Sequence, residues 1–539
     1  MDSQFGIRSA SVRAFLLLLL SVISLPVLVC AQENHTPTID EALSVKSVSA
    51  PMISPDGRFV AYRLQETNWS DNEFISQLWL FNLAAGAKFQ LTRGKHSPGA
   101  AEWSPDGHWL AFVAERESSA IEPLSAEKKE EKKDEQKGQS KEATGSNHKP
   151  AAHQIWLISP EGGEAWQLTK SPTDVGDFKW SKDSKSLAFS ANPEESKASK
   201  DRKEKYSDYE VFERDYNQNQ LWLMDVSAAL KTFLPVEAKQ LTSDPSLDVN
   251  SFAWSPDSTR IAFSATPDPM LAFRGDEDVY LLDLTRNNAV KKIVGLPGPD
   301  DSPVFSPDGK QIAFATALGQ PYFFYANAHI AMVDVDAALA RTATTAADVR
   351  DLTPKFDEDA RLDDWGPDGI YFEALQRTNS RAFRLDPQSG EVRRITGPDT
   401  FFLTGSSFTT DFQTMAFTAA DGTHLNELYV SPVASFSPHK LTDETAQVVN
   451  WNLGTAEVVP GKAKMEPWSK AFCTSRSIMT PLRSTRSSSS STAAPPVFLG
   501  PFSTPATTLI PFLFSSPKAP SFWNRIIAAA PVMAPRFAP

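Results

Sequence analysis

One stretch of this 539-residue chain sets carboxylates among aromatic rings: DYEVFERDYNQNQ, Asp208 to Gln220, places Tyr209, Phe212 and Tyr216 beside Asp208, Glu210, Glu213 and Asp215. Carboxylates hold a cation through charge-assisted hydrogen bonds, and the face of an aromatic ring attracts the same cation. Glu210, Glu213 and Tyr209 are therefore candidates for holding a cationic group, such as a peptide amino terminus. The plainer alternative is that the rings pack the segment onto the sheet that carries it.

Covalent and metal chemistry have no comparable signature. The sequence holds no G-x-S-x-G nucleophile elbow, no H-E-x-x-H, no paired-cysteine site and no G-x-x-x-x-G-K-[ST] phosphate loop. Its eight histidines (His35, His96, His108, His148, His153, His329, His424 and His439) are scattered, several of them in turns or inserts. No catalytic residue, metal ligand or cofactor is assigned.

What must position the candidates is an apolar framework, and the composition supports one: 41% hydrophobic and 10% aromatic residues are enough for a buried core. The net charge of −13 argues against a nucleic-acid surface. Residues 1–31 stand apart. Arg8 and Arg13 precede an apolar run from Ala14 to Val29, and Val29-Cys30-Ala31 offers a cleavage site before Gln32, the pattern of a secretory signal peptide. The rival is a lipoprotein signal acylated at Cys30. Either way the chain is expected to be exported, periplasmic or secreted, with no stable membrane span after cleavage. Cys473 is then the only remaining cysteine, so packing and not a disulfide holds the fold.

The framework itself is repetitive. ISPDGRFVAY (Ile53 to Tyr62) returns as WSPDGHWLAF, WSKDSKSLAF, WSPDSTRIAF, FSPDGKQIAF, WGPDGIYF and the worn FTTDFQTMAF, which ends at Phe417. A second phrase follows each copy, an apolar run such as QLWLFNL or QIWLISP that leads to a Leu-Thr pair or its equivalent. Ser-Pro-Asp-Gly suits a tight turn, and the residues after it alternate apolar and polar at the strand period. Each copy therefore reads as a four-stranded antiparallel meander. One such sheet cannot bury both faces, and seven of them stacked radially close into a ring. The fold class is all-β: a seven-bladed β-propeller over residues 40–450, with charged inserts at 115–150 and 191–219. Every copy runs in the same strand order, so the ring is expected to close by side-chain packing between the first and seventh blades, with no shared strand.

The character of the chain changes after Val459. Residues 451–459 read as the start of a linker, and 460–539 as an aberrant, disordered tail: they contain 13 Pro, two Gly, one Glu and no Asp, and periodicity disappears. Reading each codon across residue boundaries gives another message. Val459 to Glu466 is compatible with S-W-K-S-K-D-G, Leu482 to Pro495 with K-K-Y-P-L-L-V-V-I-H-G-G-P, and Asn524 to Pro539 with N-Y-R-G-S-x-G-Y-G-x-x-F-R. The three phrases occur in order and at sensible spacings.

With the seven repeats ahead of them, these phrases resemble the prolyl oligopeptidase family of serine peptidases, in particular its dipeptidyl-peptidase and acylaminoacyl-peptidase branch. The resemblance implies a propeller that gates an α/β-hydrolase domain and short peptides as substrates. It also implies that the hydrolase part of this chain is truncated and out of frame. None of the family's catalytic motifs stands in the encoded frame, so this chain alone is expected to be inactive. The double-Glu amino-terminus motif of the dipeptidyl-peptidase IV branch is not present as such; Glu210 and Glu213 occupy a comparable loop. The other reading of the same repeats is a non-enzymatic, TolB-like periplasmic propeller that binds protein or peptide partners.

Overall fold

The computed structural model describes residues 34–116, 153–207, 218–320, 322–397, 402–461 and 469–475. Seven four-stranded antiparallel sheets follow one another along the chain, and in each the strands are hydrogen-bonded in sequence order. These blades span residues 47–90, 101–167, 175–240, 248–294, 300–351, 361–394 and 402–440. Among the described residues no strand is exchanged between blades 1 and 7.

The repeated motif turns the chain from each inner strand to the second strand. In blade 1 the inner strand Ser47–Ile53 ends and Phe59–Asn68 begins across Ser-Pro-Asp-Gly. The Ser54 hydroxyl donates to Asp56 Oδ1 at 2.7 Å, and the same carboxylate oxygen accepts from the Arg58 N–H at 3.0 Å. Ser54 Oγ in turn accepts from the Phe59 N–H at 2.9 Å. Gly57 sits at φ +70°, where a side chain would be strained. The set recurs with Ser104 and Asp106, Ser181 and Asp183, Ser255 and Asp257, Ser306 and Asp308, and Thr409 and Asp411. Blade 6 has Gly366 in place of the hydroxyl residue.

The Leu-Thr phrase has an equally local cause. Buried Thr92 accepts from the Leu78 N–H at 2.8 Å and donates to Gln77 Oε1 at 2.8 Å. Thr169, Thr242, Thr353, Thr396 and Thr442 accept from the third strands of their own blades in the same way. Each threonine satisfies a buried backbone donor where the short outer strand has ended.

Apolar side chains pack between blades. Among the described residues seven buried clusters form, one at each junction, including one that joins Val48, Ile53, Val60 and Tyr62 of blade 1 to Ala416 and Leu428 of blade 7. The ring therefore closes through side chains, as the strand order predicts. Inner strands face a central tunnel, and alternate residues of each turn away into the blade: Phe178 and Trp180 are buried while Asp177 and Lys179 are exposed.

Two segments differ from the sequence reading. The first half of the 191–219 insert is a helix, Lys197–Tyr206, with no buried residue, so its charged side chains are solvated in helical form. Beyond the ring, Thr455–Gly461 pairs antiparallel with Ser469–Ser475, a strand inside the segment where periodicity disappears. The pairing is between main chains and asks for no side-chain pattern. Residues 1–33, which include the expected signal peptide, as well as the 115–150 insert apart from Glu115 and Arg116 and the tail after Ser475, lie outside the described residues.

Candidate functional site

Strand alternation and ring closure together create the site. Charged side chains stand on the tunnel side of the inner strands: Glu102 in blade 2, Asp177 and Lys179 in blade 3, Asp301 in blade 5, and Arg361, Asp363 and Asp364 in blade 6. Between blades 2, 3 and 4 the wall opens into a cavity of about 230 Å³, whose polar lining is Glu102, Asp177, Lys179, Asn250 and Ser251.

The charges in this wall act on one another. Lys179 Nζ lies 4.0 Å from Glu102 Oε1. Desolvation pushes the Glu102 carboxyl above its ordinary range, against the pull of Lys179 and Lys182. The Glu102 charge raises the Lys179 ammonium in turn, against desolvation. Asp364, on the far side of the ring in blade 6, bears on both groups, so the field is shared across the tunnel.

Behind the cavity a polar relay runs into the junction of blades 4 and 5. The Ser302 N–H donates to Ser251 Oγ at 3.2 Å, Ser251 Oγ is 2.7 Å from Ser264 Oγ, and Ser264 donates to Glu277 Oε1 at 2.7 Å. Burial, reinforced by Asp301, pushes the Glu277 carboxyl up to about 7. Asp300 is likewise pushed up to about 7 by burial, although Thr316 Oγ1 and the Leu296 N–H both donate to it. In blade 6, burial and the neighbouring Glu373 raise Asp363, with Arg361 opposing them. Glu373 accepts from Arg361 and, across the junction with blade 7, from Ser406 Oγ at 2.7 Å.

This wall can bind and orient charged or polar chain segments. Among the described residues no three His, Cys, Asp or Glu side chains are grouped to hold a metal, and no helix is long and apolar enough to cross a membrane. Tyr209, Glu210 and Glu213 lie outside the described residues. Their segment links the helix Lys197–Tyr206 to the third strand of blade 3, Gln220–Asp225. The tunnel charges escape a motif search, but a faint signal precedes them: Glu102, Lys179 and Asp364 each stand immediately before the motif's tryptophan.

Topology fixes the outward surroundings. Four antiparallel strands per blade place every connection between second and third strands on the face where the chain joins and leaves the ring. That face carries exposed rings: Trp69, Phe74, Phe273, Tyr322, Phe324 and Tyr325, the last 93% exposed.

Sequence comparison finds relatives named as peptidases. The chain is 28% identical over 252 residues to the uncharacterized peptidase YuxL of Bacillus subtilis, a match that covers 46% of this chain and 33% of that protein. It is 23% identical over 387 residues to dipeptidyl-peptidase 5 of Porphyromonas gingivalis, across 68% of this chain and 49% of the relative. The chain is thus similar in sequence to proteins named as peptidases. Uncomplexed acylaminoacyl peptidase of Pyrococcus horikoshii has the same fold, with a TM-score of 0.57 at 15% identity, over 81% of this chain and 59% of that one. No family model matches the chain. The matched part is thus half or less of each curated relative named.

Proposed function

We propose that this chain is the substrate-gating propeller of an exported serine peptidase that hydrolyses short peptides, and that the chain alone is catalytically inactive. The observation that carries the reading is the match of the repeat-bearing chain to two proteins named as peptidases, which leaves at least half of each unmatched. The out-of-frame phrases after Val459 resemble the opening stretch of the hydrolase part of such a protein. In this reading the tunnel is the path of a peptide toward the hydrolase, and its charged wall engages the peptide's backbone and termini. The aromatic face around the chain ends is the surface the hydrolase domain covers.

The test has two arms. The chain as encoded is assayed on aminoacyl and dipeptidyl chromogenic substrates and treated with a fluorophosphonate probe. A second gene has the reading frame restored after the codon for Val459 and is extended with the downstream DNA. The restored product should turn over dipeptidyl or aminoacyl substrates and be labelled on one serine, and the encoded chain should do neither. Turnover with serine labelling in the encoded chain would overturn the inactivity, and a downstream sequence without hydrolase code in any frame would overturn the assignment.

A further inference from the structure

We propose that the recess in the tunnel wall between blades 2, 3 and 4 is a subsite for a cationic side chain, lysine or arginine, of a peptide, and that the chain's own Lys179 stands in for that cation. That the ligand is a peptide rests on the peptidase reading; the preference for a cation rests on the recess itself.

The recess has the shape for one side chain. Its volume is about 230 Å³, against roughly 30 Å³ for a water molecule in the liquid. Residues of three inner strands line it, Ala101–Trp103, Val175–Trp180 and Asp248–Trp254. It therefore opens off the side of the tunnel, where a peptide running along the axis presents side chains and not its ends. Ala100, Ala101, Phe178 and Phe252 complete the lining. Such apolar surface suits the methylene stem of a long residue whose charged head stays among polar groups.

Charge selects the head. Two carboxylates in the lining, Glu102 and Asp177, stand against one ammonium, Lys179. On the other inner strands Asp301, Asp363 and Asp364 outnumber Arg361, so the tunnel around the recess also favours positive charge. The Glu102 carboxylate is incompletely paired. Lys179 Nζ stands 4.0 Å from Oε1, beyond hydrogen-bond range, and Oε2 is enclosed without a hydrogen-bond partner among the described residues, which is costly for a carboxylate. Burial keeps the Glu102 carboxyl above its ordinary range although Lys179 and Lys182 pull the other way, so a further cation would stabilise its charge. The Asn250 amide donates to Glu277, which leaves the amide oxygen to accept from a ligand, and Ser251 lies in the same lining. The Lys179 side chain is 51% exposed and can turn into the tunnel when another cation takes its place.

Isothermal titration calorimetry of the full chain tests this with acetyl-alanyl-lysyl-alanine amide, whose blocked ends carry no charge, against the same peptide with norleucine or glutamate in the middle. The lysine peptide should bind about tenfold more tightly than either. Glu102→Gln should remove most of that advantage. Lys179→Met should tighten the lysine peptide several-fold by withdrawing its competitor, a gain that a poorly folded variant cannot produce. Glu161→Gln removes the same charge from a side chain that is 73% exposed in a surface turn and should change nothing. Equal affinity for the three peptides, an unaltered preference in Glu102→Gln, weaker binding in Lys179→Met, or an equal effect of Glu161→Gln would each overturn the proposal. These titrations need no hydrolase domain, so their failure removes the subsite alone, whereas the peptidase reading stands or falls on turnover by the restored gene product.

Discussion

Glu277 holds a carboxyl about 7 in a wall that peptides are proposed to pass, because burial and Asp301 disfavour its charge more than Ser264 and Asn250 favour it. Its folded pKa lies above the ordinary 4.5, so between those values the native chain keeps a proton that the unfolded chain has released. Its contribution to stability is therefore complete at acid pH and is lost as pH rises through that window. Thermal midpoints measured from about pH 4.5 to about pH 7.5 should show this decline, and Glu277→Gln should flatten it. Asp300 keeps part of the slope, since it is pushed up in the same way. An unchanged slope in the variant would remove Glu277 from this role. None of the tunnel charges was legible as a site in the sequence. A polar residue at every second strand position looks the same whether it faces bulk water or a tunnel, and only ring closure separates the two. The cluster that does look chemical, Tyr209, Glu210 and Glu213, is marked by composition alone.

Blade construction was the most legible level, because the turn and strand signals repeat seven times and agree with one another. The sequence pattern explains Pro, Asp and Gly in the turn but not why Ser and the later Thr recur; the structure supplies the reason in their hydrogen bonds to backbone. In the six turns that carry a hydroxyl residue, the aspartate titrates below the ordinary range. At Asp56, Asp106, Asp183 and Asp257 partial burial opposes the charge and is outweighed by hydroxyl and backbone N–H donors, whereas at Asp308 and Asp411 those donors lead outright. A depressed folded pKa stabilises above the ordinary 3.8 and stops doing so as pH falls through the folded value. Asp257→Ala should cost about 1 kcal/mol near neutral pH by urea denaturation and progressively less in acid. A constant difference down to about pH 2 would count against the charged hydrogen bonds as its source. Thr169→Val strands the Ile155 N–H in an apolar setting and should cost about 1–3 kcal/mol, against an expected loss near zero if the hydroxyl were incidental.

At the scale of the whole molecule, the number of blades and their closure without a shared strand followed from the count and phase of the repeats. The hairpin formed by Thr455–Gly461 and Ser469–Ser475 did not, since main-chain pairing left no mark on a stretch without periodicity. Nor did the gathering of most exposed rings on one face, with Phe233 an exception on the other, which depends on which connections share a face. That face predicts self-association of the chain as encoded. Replacing Tyr322, Phe324 and Tyr325 with serine should shift sedimentation toward the monomer at unchanged helix and strand content, and an identical association profile would show that the rings do not mediate contact.

His35, before the first blade, and Trp451, after the last, are joined by a parallel bridge, which makes the propeller a plug with both of its wires at one corner. A module wired in this way can be spliced into a surface loop of another protein without long spacers, because its host need only supply two neighbouring points of attachment. It also means that a pull on the two wires would load the His35 bridge before any sheet, so mechanical force would be felt first at the junction where the first and last blades meet.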